Sequence, residues 1–292
     1  MLTVVLNPTS GGGKTDAQRL VELFGAEGVQ IKTVVLEPLK ASAMIRAAVD
    51  QAGDTVVAAG GDGTVSSVAA AVAGRNIALG VLPFGTLNHF AKDLHIPLDP
   101  AQAVKTIVAR HLLAVDVGYV NDRAFINNSS IGVYPDIVEL RESLRSQGRR
   151  KWMALALATA DVLKRGRDVF ARMEVEGRST VTRTPFLFVG NNEYTIEGPR
   201  LGSRARLNGG QLYAYLAPRV HTRDLPKILL WALLGRATKH HAFATIAATE
   251  LWIETPRSRV LPVATDGEVT MLPTPLRYRV APHSLDVIVP AA

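Results

Sequence analysis

The chain has 292 residues, 47% of them hydrophobic, and a mean hydropathy of +0.14, which supplies enough apolar material for two domain cores and excludes a disordered protein. It has no cysteine, which excludes disulfides and thiolate metal sites and fits a reducing compartment. The net charge of +7 is uneven, since residues 1–117 carry nine Lys and Arg against ten Asp and Glu, whereas residues 118–292 carry 24 against 16. The basic excess of residues 118–292 suits binding to a membrane or a polyanion, and it also fits a surface charge that only keeps the protein soluble.

Residues 1–117 alternate between apolar runs typical of strands and amphipathic runs typical of helices. The predicted strands are Leu2–Leu6, Gln30–Leu36, Thr55–Ala59, Ile77–Leu82 and Leu112–Val117. The predicted helices are Thr15–Ala26, Ala41–Ala52, Val65–Ala73, Leu87–Leu94 and Pro100–Arg110. Such alternation predicts an α/β domain with a parallel sheet, whose ligands bind beyond the carboxyl ends of the strands.

After Gly118 the pattern changes to short strands, interrupted by two helical segments near 134–164 and 225–236. The predicted strands are Ala124–Ser129, Val169–Val175, Thr180–Gly190, Leu212–Leu216, Glu250–Glu254, Arg277–Val280 and Leu285–Val289. This pattern predicts a mainly antiparallel β domain, a sandwich. We therefore expect two domains, 1–117 and 118–292.

Three turns that contain glycine follow strands of the first domain: 7–11 (NPTSG), 60–64 (GGDGT) and 83–88 (PFGTLN). Glycine lets the backbone approach a ligand closely, and N–H groups at a helix start favour phosphate. Asp62 is suited to hold a cation or a water there, or to stabilise its own turn. Neither a P-loop nor a dinucleotide fingerprint is complete, because Pro8 and Ser66 stand where glycines belong.

Taken together, the three turns resemble the diacylglycerol kinase catalytic-domain family, which also includes bacterial lipid kinases and sphingosine kinases. The resemblance continues to residues 265–268 (TDGE) and so covers nearly the whole chain. It implies a Rossmann-like nucleotide domain and a β-sandwich domain with the active site in the cleft between them. The implied reaction transfers the γ-phosphate of ATP, with Mg²⁺, to the free hydroxyl of a lipid such as diacylglycerol.

The resemblance also implies roles for single residues. Asp62 would act through Mg²⁺, and Asp266 would take the hydroxyl proton, with Glu268 as the alternative. The residues alone favour a hairpin turn at Asp266-Gly267. The implied nucleotide-binding residues are Asn7, Pro8, Thr9, Ser10, Gly11, Gly60, Gly61, Asp62, Gly63, Thr64, Thr86 and Asn88.

The chain departs from the family pattern at three places. Ser66 replaces the usual Asn, and His89 stands where Asp is common. The turn Asn208-Gly209-Gly210 lacks the acid that, in the family, helps to bind a structural Mg²⁺. That departure leaves open a non-catalytic regulator that binds nucleotide or lipid, and an NAD kinase is the other alternative because it shares the Gly-Gly-Asp-Gly turn.

Two groups of basic residues stand out in the second domain, one that flanks an apolar segment, 153–163, and one near 219–241. Lysine and arginine around an interfacial tryptophan suit an anionic membrane surface, although an amphipathic helix packed on the β domain fits equally. Because the N-terminus shows no signal-peptide pattern, we expect a cytoplasmic protein. Because of its basic residues, we expect it to dock peripherally on the inner face of the membrane. Nucleic acid is not an expected partner, since few aromatics are arranged for stacking. The sequence does not choose between a monomer and a homodimer.

Overall fold

The computed structural model describes residues 1–10, 16–133, 135–136, 168–175, 177–195, 202–217, 244–255 and 258–291. By its internal contacts the chain forms two compact units. The first unit comprises Met1–Val117 together with Ala281–Ala292, and the second comprises Gly118–Val280.

The first unit is a parallel α/β sheet, as its sequence pattern predicts. Four strands run in the order β2-β1-β3-β4: β1 (Leu2–Leu6), β2 (Ile31–Val35), β3 (Thr55–Gly60) and β4 (Ala78–Pro83). The helices are α1 (Ala17–Ala26), α2 (Ala41–Asp50), α3 (Asp62–Val72), α4 (His89–Asp93) and α5 (Pro100–Ala109). The sheet shares one apolar core with α1 and α5, which contribute Leu20, Phe24, Val104 and Ile107.

The helix starts follow from local chemistry. The Asp16 side chain accepts a hydrogen bond from the N–H of Arg19 at 2.8 Å and so caps α1. Asp99 caps α5 in the same way, and Pro100 fits the first helical position. Helix α3 begins at Asp62, three residues before the predicted start, because Gly61 adopts the extended cap conformation and an acid suits the first turn.

The second unit contains two antiparallel sheets. The first sheet uses β6 (Arg123–Phe125), β8 (Val169–Val175), β9 (Arg178–Thr184) and β13 (Glu250–Glu254), with the parts of β5 (His111–Val120) and β16 (Leu276–Val289) that lie within residues 118–280. The second has the order β12-β11-β10-β7-β14-β15, formed by β7 (Asn128–Gly132), β10 (Phe186–Asn191), β11 (Leu212–Leu216), β12 (Ala244–Ala248), β14 (Val260–Thr265) and β15 (Glu268–Pro273). Buried side chains of both sheets form one core around Tyr278, so the predicted sandwich is confirmed.

Several strand limits differ from the sequence prediction. The run 124–129 divides into β6 and β7, and the run 180–190 divides into β9 and β10. The strands β12, β14 and β15 are not among the predicted strands, although the residues at Asp266-Gly267 favour the hairpin turn that joins β14 to β15. The predicted helices near 134–164 and 225–236 lie outside the described residues.

The predicted boundary after residue 117 places the last strand, β16, wholly in the second domain. Its C-terminal part, from Ala281 onward, belongs to the first unit. Val287 pairs in parallel with Leu79 of β4, and Val287 and Ile288 are buried. The sequence could not show this, because an apolar strand near the chain end pairs equally well with either sheet.

Candidate functional site

The three turns singled out in the sequence meet at one edge of the first sheet. They follow β1, β3 and β4, which are adjacent and parallel. The N–H of Asn7 donates to the Ala59 carbonyl at 2.9 Å, and the N–H of Phe84 donates to the Gly60 carbonyl at 2.8 Å. The structure therefore gathers the described members of the predicted nucleotide set at the carboxyl end of the sheet, where α/β proteins bind their ligands.

Side chains join the first turn to the second. The Asn7 amide donates through Nδ2 to the Thr64 hydroxyl at 3.0 Å, while its Oδ1 accepts from both the N–H and the hydroxyl of Thr9. The Ser10 hydroxyl accepts from the N–H of Gly61 at 3.2 Å. Asn7, Ser10 and Thr64 thus hold the backbone of the two turns together. Gly11 lies outside the described residues.

Asp62 joins the second turn to the third. Its carboxylate accepts the N–H of Asn88 through Oδ2 at 2.9 Å and the N–H of His89 through Oδ1 at 2.8 Å. These are N–H groups at the start of α4, which have no acceptor within the helix. The structure therefore gives Asp62 a capping task. Its predicted role toward Mg²⁺ stays a prediction.

The third turn is shaped by Asn88. This residue has a left-handed backbone with φ of 51°, and its side chain accepts from the N–H of Gly85 at 2.9 Å and donates to the Gly85 carbonyl at 3.0 Å. A Cβ at Gly85 would lie 2.5 Å from Asn88 Oδ1 and 2.8 Å from the Cα of Gly61. Glycine is required at Gly85 because two backbones approach each other there.

Three residues of the predicted nucleotide set face outward instead: Thr9, Gly63 and Thr86 are exposed. A Cβ at Gly63 would meet no atom within 4 Å, so packing does not demand a glycine at this position. Gly63 lies in the first turn of α3, whose N–H groups point away from the helix. This surface can receive a phosphate through backbone donors.

In the second unit, Asp266 forms a tight turn between β14 and β15. Asp266 and Gly267 have φ of 48° and 87°, typical of a two-residue hairpin turn. The Asp266 carboxylate accepts three backbone N–H groups, from Ile126 at 2.9 Å, Asn127 at 2.9 Å and Asn128 at 3.0 Å. These bonds fasten the hairpin to the segment between β6 and β7.

Glu268, two residues further on, has a different environment. Its side chain is 63% exposed, and its carboxylate lies 3.8 Å from the Arg123 guanidinium. A carboxylate that accepts three N–H groups is stabilised as the anion and is a weak proton acceptor. Of the two acids, Glu268 is the one that presents its carboxylate to solvent.

The turn at Asn208-Gly209-Gly210 does not fit the structural metal site of the family. The N–H of Gly209 donates to Asn192 Oδ1 at 2.7 Å, and a Cβ at Gly209 would lie 2.7 Å from the same oxygen, so an acidic side chain here would collide with the Asn192 amide as it is placed. Among the residues that the structure describes, no three or more His, Asp or Glu side chains cluster to hold a metal ion.

Sequence reasoning missed a buried arginine close to these residues. Arg204 is 4% exposed and donates to the carbonyls of Ile126 and Asn191 and to Asn127 Oδ1. No motif marks it, and an arginine in a polar stretch is usually solvated. Only the fold shows that it is enclosed.

The two basic segments predicted to face a membrane, near 145–167 and 219–241, lie outside the described residues. Within the part of the chain that is described, no helix is long and apolar enough to span a bilayer.

Residues 1–120 match the family model described as diacylglycerol kinase catalytic domain, and residues 136–289 match the YegS C-terminal NAD kinase beta sandwich-like domain. The chain belongs to the diacylglycerol kinase catalytic-domain family. Both halves of this lipid kinase family architecture are therefore present, in the predicted order.

Curated relatives cover most of the chain. A Klebsiella pneumoniae protein named "Probable lipid kinase YegS-like" is 29% identical over 288 residues, which is 93% of each chain. A Staphylococcus aureus diacylglycerol kinase is 28% identical over 243 residues, 81% of this chain and 76% of the relative. The crystal structure of a diacylglycerol kinase from Bacillus anthracis has a TM-score of 0.70 at 18% identity and covers 99% of this chain and 96% of its own, which supports the fold.

Proposed function

We propose that this member of the diacylglycerol kinase catalytic-domain family is an ATP-dependent lipid kinase, which phosphorylates the hydroxyl of diacylglycerol or a similar lipid. The observation that carries the proposal is the edge at which the three turns meet. Fixed side chains hold its backbone, while Thr9, Gly63 and Thr86 are left exposed. Phosphoryl transfer depends mainly on positioning and charge neutralisation, and such an edge supplies the positioning.

The first unit would hold the nucleotide phosphates. The N–H groups at the start of α3 are donors for phosphate oxygens, and the exposed Gly63 lets them come close. Asp62 keeps the second and third turns in register by capping α4. Mg²⁺ bound with the nucleotide would neutralise phosphate charge, and Asp62 is the one acid in the three turns.

In the second unit, we propose that Glu268 takes the proton of the lipid hydroxyl and that Asp266 positions the turn. As the hydroxyl oxygen bonds to the γ-phosphorus, the bond from that phosphorus to the bridging oxygen of ADP breaks, and the proton passes to the Glu268 carboxylate. The exposure of Glu268 and the three N–H groups on Asp266 support this division of roles.

Transfer of labelled phosphate from ATP to a panel of hydroxyl lipids in mixed micelles tests this function. Glu268→Gln should lower kcat by about 10²–10⁴-fold because the proton acceptor is lost. It should leave thermal stability nearly unchanged, because the lost ion pair with Arg123 is exposed and contributes little. Asp266→Asn should lower stability as well as activity, because an amide cannot accept three N–H groups as well as a carboxylate does. Glu254→Gln, at an exposed acid of β13, is the matched control and should behave as wild type.

The basic excess of residues 118–292 supports a peripheral encounter with anionic lipid. We therefore propose that activity on micelles rises when anionic lipid is included and falls with added salt, because exposed charges are screened. An activity that changes neither with anionic lipid nor with added salt would argue against electrostatic docking.

One observation favours the alternative of a non-catalytic regulator, namely the glycine at position 209 where the family has an acid. The same assay separates the two proposals. A folded protein that binds ATP and labels no lipid in the panel would support the regulator, and phosphorylation of NAD would identify an NAD kinase.

A further inference from the structure

The Arg204 guanidinium is a buried cation that lies over the Tyr194 ring, 5.2 Å from its centroid, and donates to three oxygen atoms. Nη1 donates to the Ile126 carbonyl at 2.7 Å and to the Asn191 carbonyl at 3.1 Å, and Nη2 donates to Asn127 Oδ1 at 2.7 Å. Carbonyl and amide oxygens are also the kind of ligand that Mg²⁺ and Ca²⁺ take in proteins. This arginine therefore occupies an environment that resembles the ligand shell of a hard metal ion.

The position of the missing acid is closed at the same time. A Cβ at Gly209 would lie 2.7 Å from Asn192 Oδ1, the atom that accepts the Gly209 N–H. The N–H of Asn192 is bonded in turn to the Gln211 carbonyl at 3.0 Å, which fixes the residue from the other side. The turn is thus tied by an internal hydrogen bond at the place where a carboxylate would reach an ion.

These two contacts adjoin each other in the chain. Arg204 binds the carbonyl of Asn191, and Asn192 binds the turn at Gly209. A permanently charged guanidinium beside the end of β10 also disfavours a second cation there, because like charges repel strongly in a buried environment.

We infer that Arg204 and Asn192 replace the structural Mg²⁺ of the family, so that the second unit of this protein is fastened by its own side chains and has no structural metal. Arg204 donates a hydrogen bond to the Ile126 carbonyl. The N–H groups of the same segment, Ile126–Asn128, donate to the Asp266 carboxylate. Arg204 therefore fastens the hairpin of β14 and β15 to the end of β10. A cation that belongs to the chain needs no binding equilibrium, which makes this fastening independent of the metal concentration.

Thermal unfolding of the nucleotide-free protein, followed by tryptophan fluorescence, tests this inference. All three tryptophans, Trp152, Trp231 and Trp252, lie within residues 118–280, so the signal reports on the second unit. We expect the midpoint in excess Mg²⁺ and in EDTA to agree within about 1 °C, whereas an ion present at about 100 times its Kd would raise it by roughly 5–10 °C. A saturable rise with Mg²⁺ would overturn the inference.

Variants test the arginine itself. Arg204→Met should lower the midpoint by about 5–10 °C, because buried oxygens lose a charged donor. Arg204→Lys, which keeps the charge without the fork, should lie between this variant and the wild type. Arg206→Met, at the exposed arginine two residues away, is the control and should be unchanged. Equal midpoints for Arg204→Met and Arg206→Met would contradict the inference. If Arg204→Met fails to fold, the unfolding midpoints of Asn192→Ala and of the wild type in EDTA and in Mg²⁺ are the test instead.

Discussion

At the scale of single residues, the hydrogen-bond partners of a carboxylate decide what it can do. Asp62 and Asp266 belong to the two motifs that looked most catalytic, and both bind backbone N–H groups. Glu268 presents its charge to solvent. An aspartate in such a motif looks the same in the sequence whether its side chain stabilises the turn or acts on a substrate.

Removing the Asp62 carboxylate should therefore cost stability as well as activity. Asp62→Ala leaves two N–H groups of α4 without their acceptor, so we expect a loss of about 1–3 kcal/mol in the free energy of unfolding, measured by urea denaturation and far-UV circular dichroism. Asp62→Asn should lose less, because the amide oxygen still accepts one bond. Glu27→Ala, at an exposed acid of the same unit, is the control, and an equal stability of Asp62→Ala and Glu27→Ala would argue against the cap.

Two tyrosines of the second unit should make its stability sensitive to alkaline pH. Burial raises the pKa of Tyr215 to about 12, and burial also raises the pKa of Tyr278, whose hydroxyl contacts Ser129. Because both values lie above the unfolded value near 10, the stabilisation is complete below pH 10 and is lost as the pH rises from about 10 through 12.

The measurement is tryptophan fluorescence during urea unfolding across this pH range. Tyr215→Phe should flatten the alkaline decline, since the phenyl ring cannot ionise. Tyr213→Phe serves as the comparison, because that hydroxyl is bonded to the exposed Gln211. If both substitutions leave the same decline, the assignment to Tyr215 is wrong.

At the scale of elements, the site is a set of junctions between strands and helices. The predicted existence and order of the first-unit elements were confirmed, because each strand is a short apolar run and each helix has an apolar face. The junctions themselves were less predictable. The start of α3 at Asp62 and the left-handed Asn88 depend on contacts between turns that are distant in the chain.

The glycines of these junctions should separate into two classes. Gly85→Ala forces a Cβ against Gly61 and should destabilise the fold by about 1–3 kcal/mol. Gly63→Ala has free space and, as a change inside a helix, should be neutral or stabilising by up to about 1 kcal/mol.

Calorimetric titration with ATP then distinguishes packing from binding. A stable Gly63→Ala protein with weakened ATP affinity would support close approach of phosphate to this backbone. Unchanged affinity would move the nucleotide away from Gly63.

At the scale of the whole molecule, the first unit is built from both ends of the chain. Residues after Ala281 supply a strand beside β4, and the His283 N–H donates to the buried Asp116 carboxylate at 2.9 Å. The Gly74 N–H donates to the Ser284 carbonyl at 2.7 Å. A boundary drawn from composition alone therefore leaves the first sheet without one of its strands.

We expect residues 1–117 alone not to fold stably, because the edge of β4 and its apolar neighbours would be exposed. The same residues joined through a short Gly-Ser linker to 281–292 should fold, since the contact of Asp116 with His283 shows that the joined ends are close. Thermal unfolding by circular dichroism compares the two chains. A cooperative transition of equal midpoint in both would show that the last strand is dispensable.

The sequence by itself determined the family, the α/β and β-sandwich architecture and the positions of the phosphate-type turns, because these depend on local periodicity and on motifs written in consecutive residues. Only the tertiary structure decided that Asp62 and Asp266 are hydrogen-bonded to distant backbone, that Arg204 is buried and that the last strand joins the first sheet. Each of these facts is a contact between residues far apart in the chain. Such contacts are set by how elements pack, and no local pattern in the sequence records them.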